Sequence, residues 1–149
     1  MRWYTNDLTY ILPNQIFVFG SNTQGRHGKG SALFAKQKCG AIYGQPHGIQ
    51  GNSYALCTKD LTKYVHPSVS KDNIIEQIIE LYKFIEKNAD KDFYIAYKGE
   101  GINLNGFSPK EMAQMFLEAF KLSNVNIMNL RNLVFHKTFY DLIIQLNKS

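Results

Sequence analysis

Four short apolar runs punctuate the chain, at residues 16–19, 54–57, 93–97 and 133–135. Each is bounded by polar or turn residues, the pattern of strands buried on both faces. Between them the apolar positions recur at helical spacing. Over residues 73–87, Ile74, Ile78, Leu81 and Ile85 share a stripe with Ile75, Ile79 and Tyr82, and Ser70 or Asp72 stands ready as the N-cap. A second helix is predicted from the Ser108 cap through Pro109, at its first position, to about Lys121, with Met112, Met115, Phe116 and Phe120 on its core face. Helices are also expected over residues 30–38 and 138–146.

Strand and helix thus alternate four times, which predicts a mostly parallel, mixed sheet with crossover helices on both faces, a three-layer α/β/α sandwich. The 149 residues suit one domain, taken as residues 1–149, able to bury a core without disulfides or a structural metal. Hydrophobic residues at 44% against charged residues at 19% place the chain among packed globular proteins and exclude a disordered one. There is no apolar stretch of signal-peptide or membrane-span length, so a cytoplasmic location and no membrane partner are expected. The two cysteines, Cys39 and Cys57, offer neither a disulfide framework nor zinc spacing and read as buried thiols. His27, His47, His66 and His136 lack ligand spacing as well, so no metal and no cofactor is expected.

A net charge of +5 favours anionic partners. The three arginines, Arg2, Arg26 and Arg131, form no arm, and the lysines lie among acids. That argues against dedicated duplex binding and for a small phosphorylated ligand, which needs a few charges and backbone amides.

In an α/β fold such a ligand sits where the carboxyl ends of the strands emerge. Polar and glycine residues concentrate there: residues 20–30 (GSNTQGRHGKG) after the first strand, Thr58, Lys59 and Asp60 after the second, residues 98–107 (KGEGINLNGF) after the third, and His136 and Lys137 after the fourth. The first loop leads from a strand into a helix, where small residues let amides approach a phosphate; its glycine spacing matches neither a Walker loop nor a dinucleotide fingerprint. In the later loop, Phe107 reads as an exposed aromatic that either lies against a sugar or base or staples the next helix. The glycine-rich segment 40–51 is either a flap over the site or a plain excursion. Lys29, Lys36, Asp60 and Glu100 are the candidate catalytic groups, lysine as nucleophile and carboxylate as acid or base.

Three pieces of the chain resemble the macro domain superfamily, the ADP-ribose-binding α/β/α module. Asn6-Asp7-Leu8-Thr9 is similar to its opening element, Phe17-Val18-Phe19-Gly20-Ser21-Asn22 followed by Gly28-Lys29-Gly30 to its strand and glycine loop, and Gly99-Glu100-Gly101-Ile102 through Gly106-Phe107 to its diphosphate-holding loop. Residues 17–60 also look like small stand-alone phage and bacterial proteins of this type. The resemblance implies an adenine contact from Asp7, a distal-ribose contact from Asn22 beside Ser21, a diphosphate cradle from Gly28, Gly30, Gly99, Gly101 and Ile102, and Phe107 facing the distal ribose.

One branch of that superfamily removes terminal ADP-ribose with a lysine and an aspartate. Here Gly28 through Lys36 resembles its lysine element, but Asn103 stands in place of the acid, and an amide does not transfer a proton as a carboxylate does. Glu100 or Asp60 would have to take that role. The expected function is therefore binding of ADP-ribose or a related NAD-derived nucleotide, with hydrolysis from modified protein or nucleic acid as an extension. The alternatives are a non-catalytic module that sequesters an ADP-ribose-derived signal, suited to phage or mobile-element counter-defence, and a basic nucleic-acid-associated protein.

Overall fold

The computed structural model describes residues 1–126 and 130–148. The elements run β1 (Arg2–Tyr4), β2 (Gln15–Asn22), α1 (Gly30–Lys38), β3 (Gly48–Gln50), β4 (Ser53–Lys59), α2 (Lys71–Lys87), β5 (Asp92–Ile95), α3 (Pro109–Leu122), β6 (Leu133–His136) and α4 (Lys137–Asn147). Six strands form one sheet in the order β1-β6-β5-β2-β4-β3, parallel except for the antiparallel β3–β4 pair. The fold is thus the α/β, three-layer arrangement that the alternation of elements predicts.

The period of two along the central strands sorts their side chains into two cores. Ile16 and Val18 of β2, with Tyr54 and Leu56 of β4, face α2, α3 and α4. Phe17, Phe19 and Ala55 face the other way, against Ala32 and Ala35 of α1. The layers are unequal, three helices on one face and one on the other, the thinner side being completed by Leu8, Ile11 and Phe34.

Helix ends follow their caps. Ser70 accepts the Asn73 N–H at the start of α2, and Ser108 and Glu111 form a capping box at the start of α3. Two strands escape the apolar-run reading. β1 is a short edge strand of exposed or half-buried residues, and β3 (GIQ) lies inside the glycine-rich segment, so neither carries a periodic signal. Strand β5, which carries the third apolar run, ends at Ile95, two residues before the end of that run, although the Ala96 N–H still donates to the Val18 carbonyl at 2.9 Å. Among the described residues, no helix is long and apolar enough to cross a membrane.

Candidate ligand-binding site

A cavity of about 720 Å³ opens where β2, β4 and β5 end, within the range of roughly 300–1,000 Å³ usual for small-molecule sites. One wall is the loop after β2 and the first turn of α1; the facing wall is the loop after β5; Thr58 and Lys59 close one side, and Gly20 and Tyr97 line it below the loops.

The first wall is held in shape by Asn22. Its Oδ1 accepts the N–H groups of Arg26 (2.9 Å) and Gln24 (3.3 Å), and its Nδ2 donates to the Arg26 carbonyl (2.9 Å). Behind that turn, Gly25, at φ +62°, lies so close to the Gly44–Gln45 backbone that a Cβ would stand 2.5 Å from the Gln45 nitrogen. Gly44 donates to the Gly25 carbonyl at 2.9 Å. His27 is fully buried and bonds Gln50 Oε1 at 3.2 Å, which also accepts the Ile42 N–H at 2.7 Å. Segment 40–51 is therefore a buttress behind the loop. It contributes no residue to the cavity lining, which removes the flap reading.

The loop then opens. A Cβ at Gly28, Gly30 or Gly101 would meet nothing within 4 Å, and Gly30 (φ +56°) and Gly101 (φ +88°) hold a backbone conformation that other residues rarely adopt. Lys29 occupies the N-cap of α1 with no side-chain cap, and no acid sits in the first turn, so the leading N–H groups of Gly30, Ser31 and Ala32 begin a helix at the cavity wall. In α2, α3 and α4 a side chain caps the same position.

Charge at the site is positive. Among the described residues lining the cavity, Arg26, Lys29, Lys59 and Lys98 face one carboxylate, Glu100. Lys98 is partly offset by Asp7, 2.6 Å away and outside the lining. That lysine holds the exposed Asp7 carboxyl below its ordinary value, first through the hydrogen bond and then through its charge.

Of the residues singled out from the sequence, Ser21, Asn22, Gly28, Lys29, Gly30, Glu100, Gly101, Ile102 and Asn103 come together around the cavity. Asn22 and Asn103 spend hydrogen bonds on their own loops, Asn103 Nδ2 donating to the Phe107 carbonyl at 2.9 Å. Five others stand apart. Asp7 is at the margin, tied to Lys98. Gly99 is a packing glycine, pressed against the Thr138 backbone of α4. Phe107 is not exposed: it is 4% accessible and belongs to the core packed against α2 and α3, so the staple-like reading replaces the ligand contact. Lys36 projects from the outer side of α1, its ammonium 5.2 Å from the centre of the Tyr43 ring. Asp60 is consumed by its own turn, Oδ1 accepting from the Thr62 N–H (2.9 Å) and hydroxyl (2.7 Å), bonds that lower its pKa.

Residues that sequence reasoning did not assign complete the site. Arg26, Lys59 and Lys98 were visible as loop cations without an assigned role. Thr58, Tyr97 and Asn105 are 2%, 8% and 5% accessible and line the cavity. Burial pushes the Tyr97 hydroxyl up to about 12, against smaller opposing effects of Thr58 and Asn105, so it is neutral and a donor at ordinary pH. Tyr97 ends an apolar run and reads as strand core; which way its hydroxyl points depends on the long-range approach of Gly20. No family model matches the chain, and no curated protein matches it.

Proposed function

We propose that the cavity binds a phosphorylated nucleotide of the ADP-ribose class, ADP-ribose itself or a related NAD-derived nucleotide. The observation that carries this reading is the meeting, in one cavity, of an uncapped helix N-terminus, open glycine backbone from two loops, and an excess of cations. Each of these favours phosphate, the first through unpaired N–H groups and the helix dipole, the second through close approach, the third through charge. The resemblance of the two loops to those of macro domains supports the same ligand. An ADP-ribosyl group on protein or nucleic acid is the corresponding macromolecular partner, with the cavity mouth open to it.

Binding without turnover is favoured over hydrolysis. Lys36 is turned away from the cavity, and the Asp60 carboxylate is engaged within its own loop. Lys29 and Glu100 remain at the cavity, and Asn103 is an amide already donating to Phe107.

Thermal unfolding with ADP-ribose, NAD, ATP and inorganic phosphate tests the reading. A ligand at 100 times its Kd adds about 2.7 kcal/mol of stability, a shift of several degrees for a chain of this size. ADP-ribose is expected to give the largest shift and to be recovered intact. Equal, negligible shifts with all four compounds would remove the proposal.

A further inference from the structure

Within the cavity lies a buried polar patch whose hydrogen-bonding capacity is not used up. Tyr97 Oη is buried and makes no hydrogen bond of proper geometry, although Thr58 and Asn105 lie beside it. A buried hydroxyl without a partner costs stability, and such an atom at a cavity wall is where a ligand group is expected. Gly20 lets the tyrosine hydroxyl come this close: a Cβ there would stand 2.5 Å from Tyr97 Oη and 3.5 Å from Thr58 Oγ1. Both hydroxyls therefore converge over a residue with no side chain.

The remaining valences define what fits. Asn105 is largely spent, its Oδ1 accepting the Phe107 N–H at 2.9 Å and its Nδ2 donating to Thr58 Oγ1 at 3.0 Å. Thr58 Oγ1 thus accepts one bond and keeps its own hydrogen to give. Tyr97 Oη can give one and take one. With the second lone pair of Thr58 Oγ1 also free, two donors and two acceptors match an alcohol, which both accepts and donates, better than a phosphate, which at neutral pH chiefly accepts. Charge argues the same way: the cations sit on the loops and at the end of β4, whereas these groups are neutral and almost fully buried, where an anion would be poorly solvated.

We propose that Tyr97, together with Thr58, is a specificity-determining residue that hydrogen-bonds a sugar hydroxyl of the ligand. This rests on the reading of the cavity as a nucleotide site, and it restricts the ligand to nucleotides that bring a hydroxyl-bearing, uncharged group to this patch while their phosphates stay on the loops.

The test is calorimetric titration of wild type and Tyr97→Phe with ADP-ribose, ribose 5-phosphate and pyrophosphate. Phenylalanine keeps the ring contacts with Phe116 and Phe139, so the core is preserved. The variant is expected to bind ADP-ribose and ribose 5-phosphate about tenfold more weakly and pyrophosphate unchanged, the scale of one lost hydrogen bond. Its melting temperature is expected to equal or exceed that of wild type, because an unpaired buried hydroxyl has been removed; a hydroxyl with a merely structural role would lower it. Unchanged affinity for the two sugar phosphates, or an equal loss for pyrophosphate, would overturn the assignment while leaving the nucleotide site intact. Failure of wild type to bind any of the three would overturn the nucleotide reading and this one with it.

Discussion

The N–H of Gly99 donates to the hydroxyl of Thr138 at 2.9 Å, and the Gly99 Cα lies so near the Thr138 carbonyl that a Cβ would collide with it. The loop after β5 is thereby pinned to the first turn of α4, and the cavity wall that begins at Lys98 inherits its position from that contact. Because the obstacle is backbone, it cannot swing aside. Gly99→Ala is expected to cost about 2–3 kcal/mol, the upper end for overpacking, and to weaken ligand binding by displacing the loop. Urea unfolding checks it; an unchanged midpoint would show that the contact is slack.

The same corner is sensitive to acid. His136 Nδ1 lies 2.9 Å from the Thr138 hydroxyl and accepts the Thr138 N–H at 3.3 Å, capping α4 in its neutral form. Burial, followed by the charge of Lys98, lowers its pKa below 6.5, outweighing Asp7, Glu100 and the Thr5 backbone. Between the folded pKa and 6.5 the unfolded chain binds more protons, so stability rises with pH there. The contribution is complete above about pH 6.5 and lost as pH falls from there to the folded value. Wild type is expected to lose stability between pH 7.5 and 5.5, and His136→Gln to lose less over that window. Equal slopes in denaturant titrations would contradict the assignment.

Asn22→Ala separates direct from indirect roles. The side chain makes three hydrogen bonds within residues 22–26, so its removal is expected to weaken ligand binding by about tenfold through loosening of the loop. Amide exchange at Gln24 and Arg26 is expected to quicken. Lost affinity with unchanged exchange would mean that Asn22 touches the ligand itself.

Much of the architecture was legible because buried strands and amphipathic helices leave periodic marks: IFVF at 16–19 and the isoleucine stripe of α2 needed no tertiary information. The strands β1 and β3 left none, being three residues each and defined by their partners. The site divides in the same manner. Gly28, Gly30 and Gly101 could be found from loop chemistry. Gly99 has the same residue type in the same loop, and what distinguishes it is the approach of α4, a contact 39 positions away in sequence. Phe107 is ambiguous in the sequence for a similar reason, since a lone aromatic before a helix can face either way until α2 and α3 supply its core. The Tyr97 hydroxyl is a tertiary property altogether.

The two lysines of the first loop and helix should behave differently. Lys29 lines the cavity at the start of α1, whereas Lys36 lies beside Tyr43 on the outer side. Lys29→Ala is expected to lower nucleotide affinity several-fold, more at low salt than at high, and Lys36→Ala to leave it unchanged. A salt series of titrations reads both, and an effect of Lys36→Ala equal to that of Lys29→Ala would show that the charge acts at long range.

The central claim is tested most directly by calorimetric titration of ADP-ribose into wild type and Gly28→Val. Gly28 lines the cavity, lies outside the left-handed backbone region and has open space where a Cβ would go, so a side chain there is expected to enter ligand space at little cost to the free protein. Micromolar binding by wild type, abolished in a variant with an unchanged melting temperature, is the expected result. Equal binding by the two proteins, or none by wild type, would contradict the assignment of this cavity to a nucleotide.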